Sequence, residues 1–152
     1  MKNSAHYLTM LLQNKIALYI IQKAQEYDLY PGQPKVLEFL RESDGCTPTD
    51  ICKANGLDKS TITGILGRMK RNGLIYSEPD MADRRQRLIF LTDKGRKLAD
   101  DFQKELDLLE EKLWGPADQE DRERFYRQVR CMIRNLETDA ADQIDPREKV
   151  KE

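Results

Sequence analysis

The sequence predicts a mainly α fold with a small β-hairpin wing, that is, a winged helix-turn-helix joined to a helical dimerisation region. Three observations predict it. Three short helical segments precede two strand-like segments around a turn-rich, arginine-bearing tip; a long apolar helix stands before them; and two helices with apolar stripes follow. A chain of 152 residues has room for one domain plus an added oligomerisation region. The expected divisions are a dimerisation helix over 1–28, a winged domain over 29–92, dimerisation helices over 93–137 and a flexible tail over 138–152.

Between residues 7 and 27, Leu8, Leu11, Leu12, Ile16, Leu18, Tyr19, Ile20 and Ile21 cover more than one helical face, which predicts a long helix buried on two sides. Pro31, Gly32 and Pro34 end it, and Val36, Leu37, Phe39 and Leu40 predict a second helix stopping near Asp44 and Gly45. Thr47 is placed to cap a third helix, with Pro48 at its first position and Asp50 where a carboxylate favours the helix dipole. Asn55 and Gly56 turn it. Asp58 or Ser60 caps the fourth helix, whose apolar stripe is Ile62, Ile65, Leu66 and Met69.

The opposite face of that helix carries Ser60, Gly64, Gly67 and Arg71, flanked by Thr61, Thr63 and Arg68. Each interior glycine costs roughly 1 kcal/mol relative to alanine, so a close approach to another backbone is a reason to look for. Gly73 can end the helix in the left-handed conformation; residues 74–78 and 86–91 then read as strands around the tip 79–83. Thr92 caps a helix with the stripe Leu98, Phe102, Leu106, Leu109 and Leu113, broken by Gly115 and Pro116. Asp118 and Asp121 start the last helix, whose stripe is Phe125, Val129, Met132, Ile133 and Leu136. The terminal stripes have too little domain left to cover them, which points to a homodimer.

The net charge of −1 conceals an uneven distribution. Residues 58–97 hold ten Lys and Arg against five acids, whereas residues 100–152 hold ten bases against sixteen acids. One surface is expected to face an anionic polymer. Short hydroxyls at Ser60, Thr61 and Thr63 can donate to phosphate or reach a base edge, and Arg68 and Arg71 can pair with backbone or guanine. At the wing, Arg84, Arg85 and Arg87 can enter a narrow, electronegative minor groove. Asp83 cannot favour DNA itself; it is expected to orient a neighbouring guanidinium or the turn backbone. With Gly64, these residues are the candidate DNA-binding set.

The run Asp83-x-Arg85, then Leu91-Thr92-x-x-Gly95, resembles the signature of the multiple-antibiotic-resistance regulator (MarR) family. Upstream, residues 32–37, 57–63 and 68–75 resemble it too, so that the likeness spans about residues 30–98. The resemblance implies a homodimeric repressor or activator whose terminal helices intertwine and whose winged domains bind a pseudo-palindromic operator in double-stranded DNA. It also implies that Arg85 enters the minor groove steadied by Asp83, and that Ser60, Thr61 and Thr63 face the major groove. Gly64 stands where relatives often carry a longer polar residue.

The expected function is therefore sequence-specific transcription regulation, by a dimeric repressor released by a small molecule or another signal. Tyr7, Tyr19, Tyr27, Tyr30 and Tyr76 serve either core packing or a pocket for such an effector. Two alternatives are a winged-helix protein-interaction module and a thiol-based redox-responsive regulator using Cys46, Cys52 or Cys131. The resemblance weakens the second, because the sensing thiol of some relatives lies near the start of the first helix and this chain has no cysteine before Cys46. An enzyme is not expected: there is no nucleophile–base pairing, no Gly-rich phosphate loop and one histidine, His6. No metal or other cofactor is expected. Without a secretory leader or an apolar run of roughly 20 residues, the chain reads as cytoplasmic, with no membrane partner.

Overall fold

The computed structural model describes residues 3–141. It is mostly helical with one two-stranded antiparallel hairpin, in the order of a winged helix-turn-helix flanked by long helices. The chain divides between Glu110 and Glu111 into two compact units.

Helix α1 (Ala5–Glu26) begins at Ser4, whose hydroxyl accepts the Tyr7 N–H at 3.2 Å. It ends at Tyr27, before the prolines, and the chain turns at Asp28, a non-glycine residue held at φ 54°. The expected two-sided burial is not met within one chain: only Ala24 is buried, and Leu8, Leu11, Leu18 and Ile21 are exposed. The first unit has too few elements to cover a helix that is apolar on more than one face.

Helix α2 (Gln33–Glu42) starts from Gly32 at φ 85°, where a Cβ would stand 2.5 Å from Ile65 Cδ1. Gln33 is fully buried, and its Oε1 accepts the Tyr30 N–H at 3.0 Å. Helix α3 (Pro48–Asn55) carries the anticipated cap in reciprocal form: Thr47 Oγ1 accepts from Asp50 N–H, and the Asp50 carboxylate accepts from Thr47 N–H. Helix α4 (Lys59–Arg71) is capped by Asp58, which settles the choice left open with Ser60.

Gly73, at φ 67°, turns the chain into β1 (Ile75–Pro79), which pairs antiparallel with β2 (Arg87–Leu91) from Ile75↔Leu91 to Pro79↔Arg87. Pro79 therefore closes the first strand rather than opening the tip. A bridge that periodicity did not reveal joins Cys46 to Ile89, with Gly45 N–H donating to Ile89 O and Ile89 N–H to Cys46 O. Helices α2, α3 and α4 pack with this sheet around Val36, Leu37, Leu40, Ile51, Ile62 and Met69, each almost fully buried. Burying one such side chain contributes about 1.5–3 kcal/mol.

Helix α5 (Asp93–Trp114) is capped by Thr92, whose Oγ1 accepts the Gly95 N–H at 3.0 Å. Its stripe divides in use: Phe102 and Leu109 are buried, whereas Leu113 is exposed. Phe102 meets the edge of Tyr27 with ring centres 5.6 Å apart. In the second unit, Gly115 at φ 50° ends α5, and Asp118 accepts the Asp121 N–H at the start of α6 (Gln119–Ala141). Trp114 meets Phe125 and Tyr126 edge-on, while Met132, Ile133 and Leu136 are exposed.

The backbone of residues 138–141 continues α6; the rest of the expected tail lies outside the described residues. Among the described residues, no helix is long and apolar enough to cross a membrane.

The tightest junction lies where β2 enters α5. A Cβ on Gly95 would stand 1.9 Å from the Leu74 carbonyl oxygen, which itself accepts the Thr92 N–H at 3.0 Å. Backbone cannot yield as a side chain can. Gly95→Ala is expected to destabilise the fold by on the order of 3 kcal/mol, read as a lower urea midpoint; a wild-type midpoint would contradict this packing.

Candidate nucleic-acid interface

Helix α4 offers one apolar and one polar face, and the core takes the apolar one. Ile62, Ile65, Leu66 and Met69 are buried, which leaves Ser60, Thr61, Thr63, Gly64, Arg68 and Arg71 exposed on the outer side. The two interior glycines meet no steric demand from within. Nothing lies within 4 Å of a Cβ on Gly64, and a Cβ on Gly67 would make only ordinary contact with Arg71 Nη1 at 3.7 Å.

The hydroxyls are not the free donors expected of them. Ser60 Oγ donates to Asp58 Oδ1 and Thr61 Oγ1 to Asp58 Oδ2, each at 2.5 Å; Thr63 Oγ1 donates to the Lys59 carbonyl at 2.7 Å. A short hydroxyl near a helix start finds its local acceptor first. The bonds from Ser60, foremost, and from Thr61 hold the Asp58 carboxyl well below the usual carboxylate range. Arg68 lies over the ring of Tyr30, 5.9 Å from its centre, an arrangement that steers the guanidinium by cation–π attraction.

The wing sorts its arginines. Asp83 Oδ1 accepts from the N–H of Arg85 at 3.1 Å and from its Nε at 3.4 Å, while Oδ2 accepts from Gln86 Nε2 at 3.2 Å. The Arg85 backbone N–H is the main cause of the lowered Asp83 pKa. Arg85 nevertheless remains 93% exposed, against 36% for Asp83. Arg84 is exposed as well, but Arg87 folds back onto β1, donating to Ser77 Oγ at 3.2 Å and Ser77 O at 2.7 Å. Lys70 reaches the same Ser77 hydroxyl at 3.4 Å, linking the end of α4 to the wing.

Local sequence marks Asp44 only as part of a helix stop. Its Oδ1 accepts the Leu91 N–H at 2.8 Å and its Oδ2 accepts from Arg96 Nη2, so one carboxylate ties the α2–α3 loop to the end of β2 and the start of α5. Leu91 and Arg96 lie far along the chain, and no local pattern marks them as partners. Gly45 sits next to it against Phe90, where a Cβ would stand 2.6 Å from the ring. Cys46, half-buried beneath, has its thiol pushed up to about 11, chiefly by burial. Cys131 is exposed. Among the described residues no three metal-ligating side chains converge.

A helix presenting hydroxyls and cations beside a hairpin whose arginine is held out from the surface defines a winged helix-turn-helix protein of the transcription-regulator class. The model of the MarR family matches residues 27–86 of the chain. The transcriptional regulator HosA of Escherichia coli O157:H7 is 29% identical over 134 residues, which cover 88% of this chain and 97% of HosA. Staphylococcus aureus MepR in complex with DNA superposes with a TM-score of 0.78 at 28% identity, covering 88% of this chain and 98% of MepR. Bordetella bronchiseptica BpsR, whose DNA binding is regulated by 6-hydroxynicotinic acid, superposes with a TM-score of 0.76 at 25% identity, covering 87% of this chain and 94% of BpsR.

Asp44→Ala removes the acceptor for a strand N–H and an Arg96 contact together. The expected loss is about 1–3 kcal/mol, together with faster amide exchange at Leu91; protection equal to wild type would show that Asp44 does not hold the wing.

Proposed function

We propose that this protein is a dimeric, sequence-specific DNA-binding transcription regulator that places α4 in the major groove and the hairpin in the adjoining minor groove. The observation that carries the reading is Arg85: a guanidinium almost wholly in solvent, yet fixed at its base by Asp83, beside the polar face of α4. A guanidinium presented in this way suits a narrow, electronegative minor groove. Ser60, Thr61, Thr63, Gly64, Arg68 and Arg71 form the groove-facing side of the helix, Arg84 and Arg85 reach beyond the wing, and Arg87 braces it. MepR, crystallised with DNA, supports this reading by its likeness.

Dimerisation follows from the apolar surface each unit leaves open. Leu8, Leu11, Leu18 and Ile21 on α1, and Met132, Ile133 and Leu136 on α6, are exposed in one chain. Patches of this kind mark association surfaces. Residues 1–28 and 93–137 would pair with their copies, and a twofold dimer would read inverted half-sites about 10 base pairs apart, centre to centre. Release by a small molecule is the regulatory half of the proposal. BpsR, regulated by 6-hydroxynicotinic acid, supports it, as does an apolar cavity of about 260 Å³ beside α1 lined by Ala17, Ile20, Ile21, Leu29 and Pro34. The raised Cys46 pKa disfavours a reactive thiolate at that one position.

Arg85→Ala should weaken binding to the protein's own promoter region by about tenfold or more at physiological salt, measured by fluorescence anisotropy; full affinity would sink the wing assignment. Wild-type affinity should fall steeply with salt, since phosphate contacts release counterions; a flat response would favour the protein-interaction reading instead. Leu18→Glu with Ile133→Glu should shift the sedimentation coefficient from dimer to monomer; a variant that stays dimeric would contradict the proposed faces.

A further inference from the structure

All three hydroxyls on the outer face of α4 have committed their protons inside the protein: Ser60 and Thr61 to the two oxygens of Asp58, and Thr63 to the Lys59 carbonyl. An ionised carboxylate and a backbone carbonyl can only accept, so the sense of each bond is fixed. The hydroxyl oxygens keep lone pairs, and the side chains are exposed. What they offer outward is therefore acceptor capacity and no donor. The other end of the helix has the opposite character, since Arg68 and Arg71 carry donors only. Between them Gly64, one turn beyond Ser60 on the same face, has nothing within 4 Å of its Cβ position, so no side chain keeps a base edge away from this turn.

We infer that Asp58 makes the Ser60 and Thr61 hydroxyls, in the first turn of α4, acceptor-only readers of the major groove, selecting a base that presents an exocyclic amino group, adenine N6 or cytosine N4. This rests on the DNA-binding reading above. In the major groove adenine and cytosine carry an amino donor where thymine and guanine carry a keto acceptor. A keto group facing Ser60 or Thr61 would set lone pair against lone pair with no proton between them, and the Asp58 carboxylate behind would add repulsion. Asp58 is thus a positioning residue that acts through its two neighbours.

The test uses the full chain and operator sequences selected by the wild-type protein from randomised duplex DNA. The positions read by this turn are those whose preference changes in a Ser60→Ala, Thr61→Val double variant, which keeps the Asp58 cap. At those positions wild type should select adenine or cytosine. Replacing the base by purine, or by pyrimidin-2-one, each of which lacks the amino group, should weaken binding about tenfold. Asp58→Asn should fold, since asparagine caps as well as aspartate. Its amide donates to one hydroxyl and turns that hydroxyl's proton outward, so the preference there should move toward guanine or thymine.

Wild-type selection of guanine or thymine at these positions overturns the inference, as does a profile unchanged in both variants. If Asp58→Asn fails to fold, the double variant and the base analogues still decide. Loss of discrimination with retained salt-dependent binding in the double variant separates this inference from the function it rests on. A wild-type protein showing no salt-dependent duplex binding would overturn both.

Discussion

The relation between the helix face and the wing depends on one backbone contact, the first turn of α5 lying against the carbonyl of Leu74. Four element ends meet there: α4 ends at Arg71 and the chain turns at Gly73, β1 starts after Leu74, β2 ends at Leu91, and α5 begins after Thr92. Thr92 serves both sides, its hydroxyl donating to Gly73 O at 2.6 Å and accepting from Gly95 N–H at 3.0 Å. Lys94 adds a bond from its Nζ to Asn72 O at 2.9 Å, where cations favour the last carbonyls of a helix. Because backbone rather than flexible side chain forms the joint, the angle between α4 and the hairpin is set by close packing. A surface assembled from both elements then keeps its shape without a ligand to order it.

The parts legible in the sequence are those in which cause and effect lie within a few residues. The Thr47–Asp50 capping box, the Thr92 cap, the left-handed glycines at positions 56 and 73, and the apolar stripe of α4 all follow from local chemistry. The residues around Asp83 and Arg85 belong here too, as an Asx-type turn needs only its own next residues. What could not be read were pairings set by tertiary placement. Asp44 finds Leu91 and Arg96, Cys46 bridges Ile89, Arg68 meets Tyr30, and Arg87 turns to Ser77. The α1 pattern was legible as apolar on more than one face, but a single chain does not supply the surface that such a pattern requires.

The local rules also misled in one instructive way. The outward placement of Ser60, Thr61 and Thr63 suggests donors, yet outward direction does not leave a proton free when Asp58 and the Lys59 carbonyl lie closer. The distinction matters because exposure describes where a group lies, whereas recognition depends on which of its hydrogen-bonding sites is unoccupied. On α4 the exposed hydroxyls are consequently acceptors near its start, and the guanidiniums of Arg68 and Arg71 are donors toward its end.

If the wing meets DNA as proposed, the Asp83–Arg85 pair has a consequence for how fast the protein would arrive and leave. A carboxylate beside the foremost guanidinium lowers the local positive potential, which slows the long-range, salt-sensitive encounter. The same carboxylate holds the Arg85 backbone and Nε before contact, so less rotamer freedom remains to be lost on seating, and dissociation slows. On the proposed function, the wing would thereby exchange some speed of capture for residence time, within a turn of four residues.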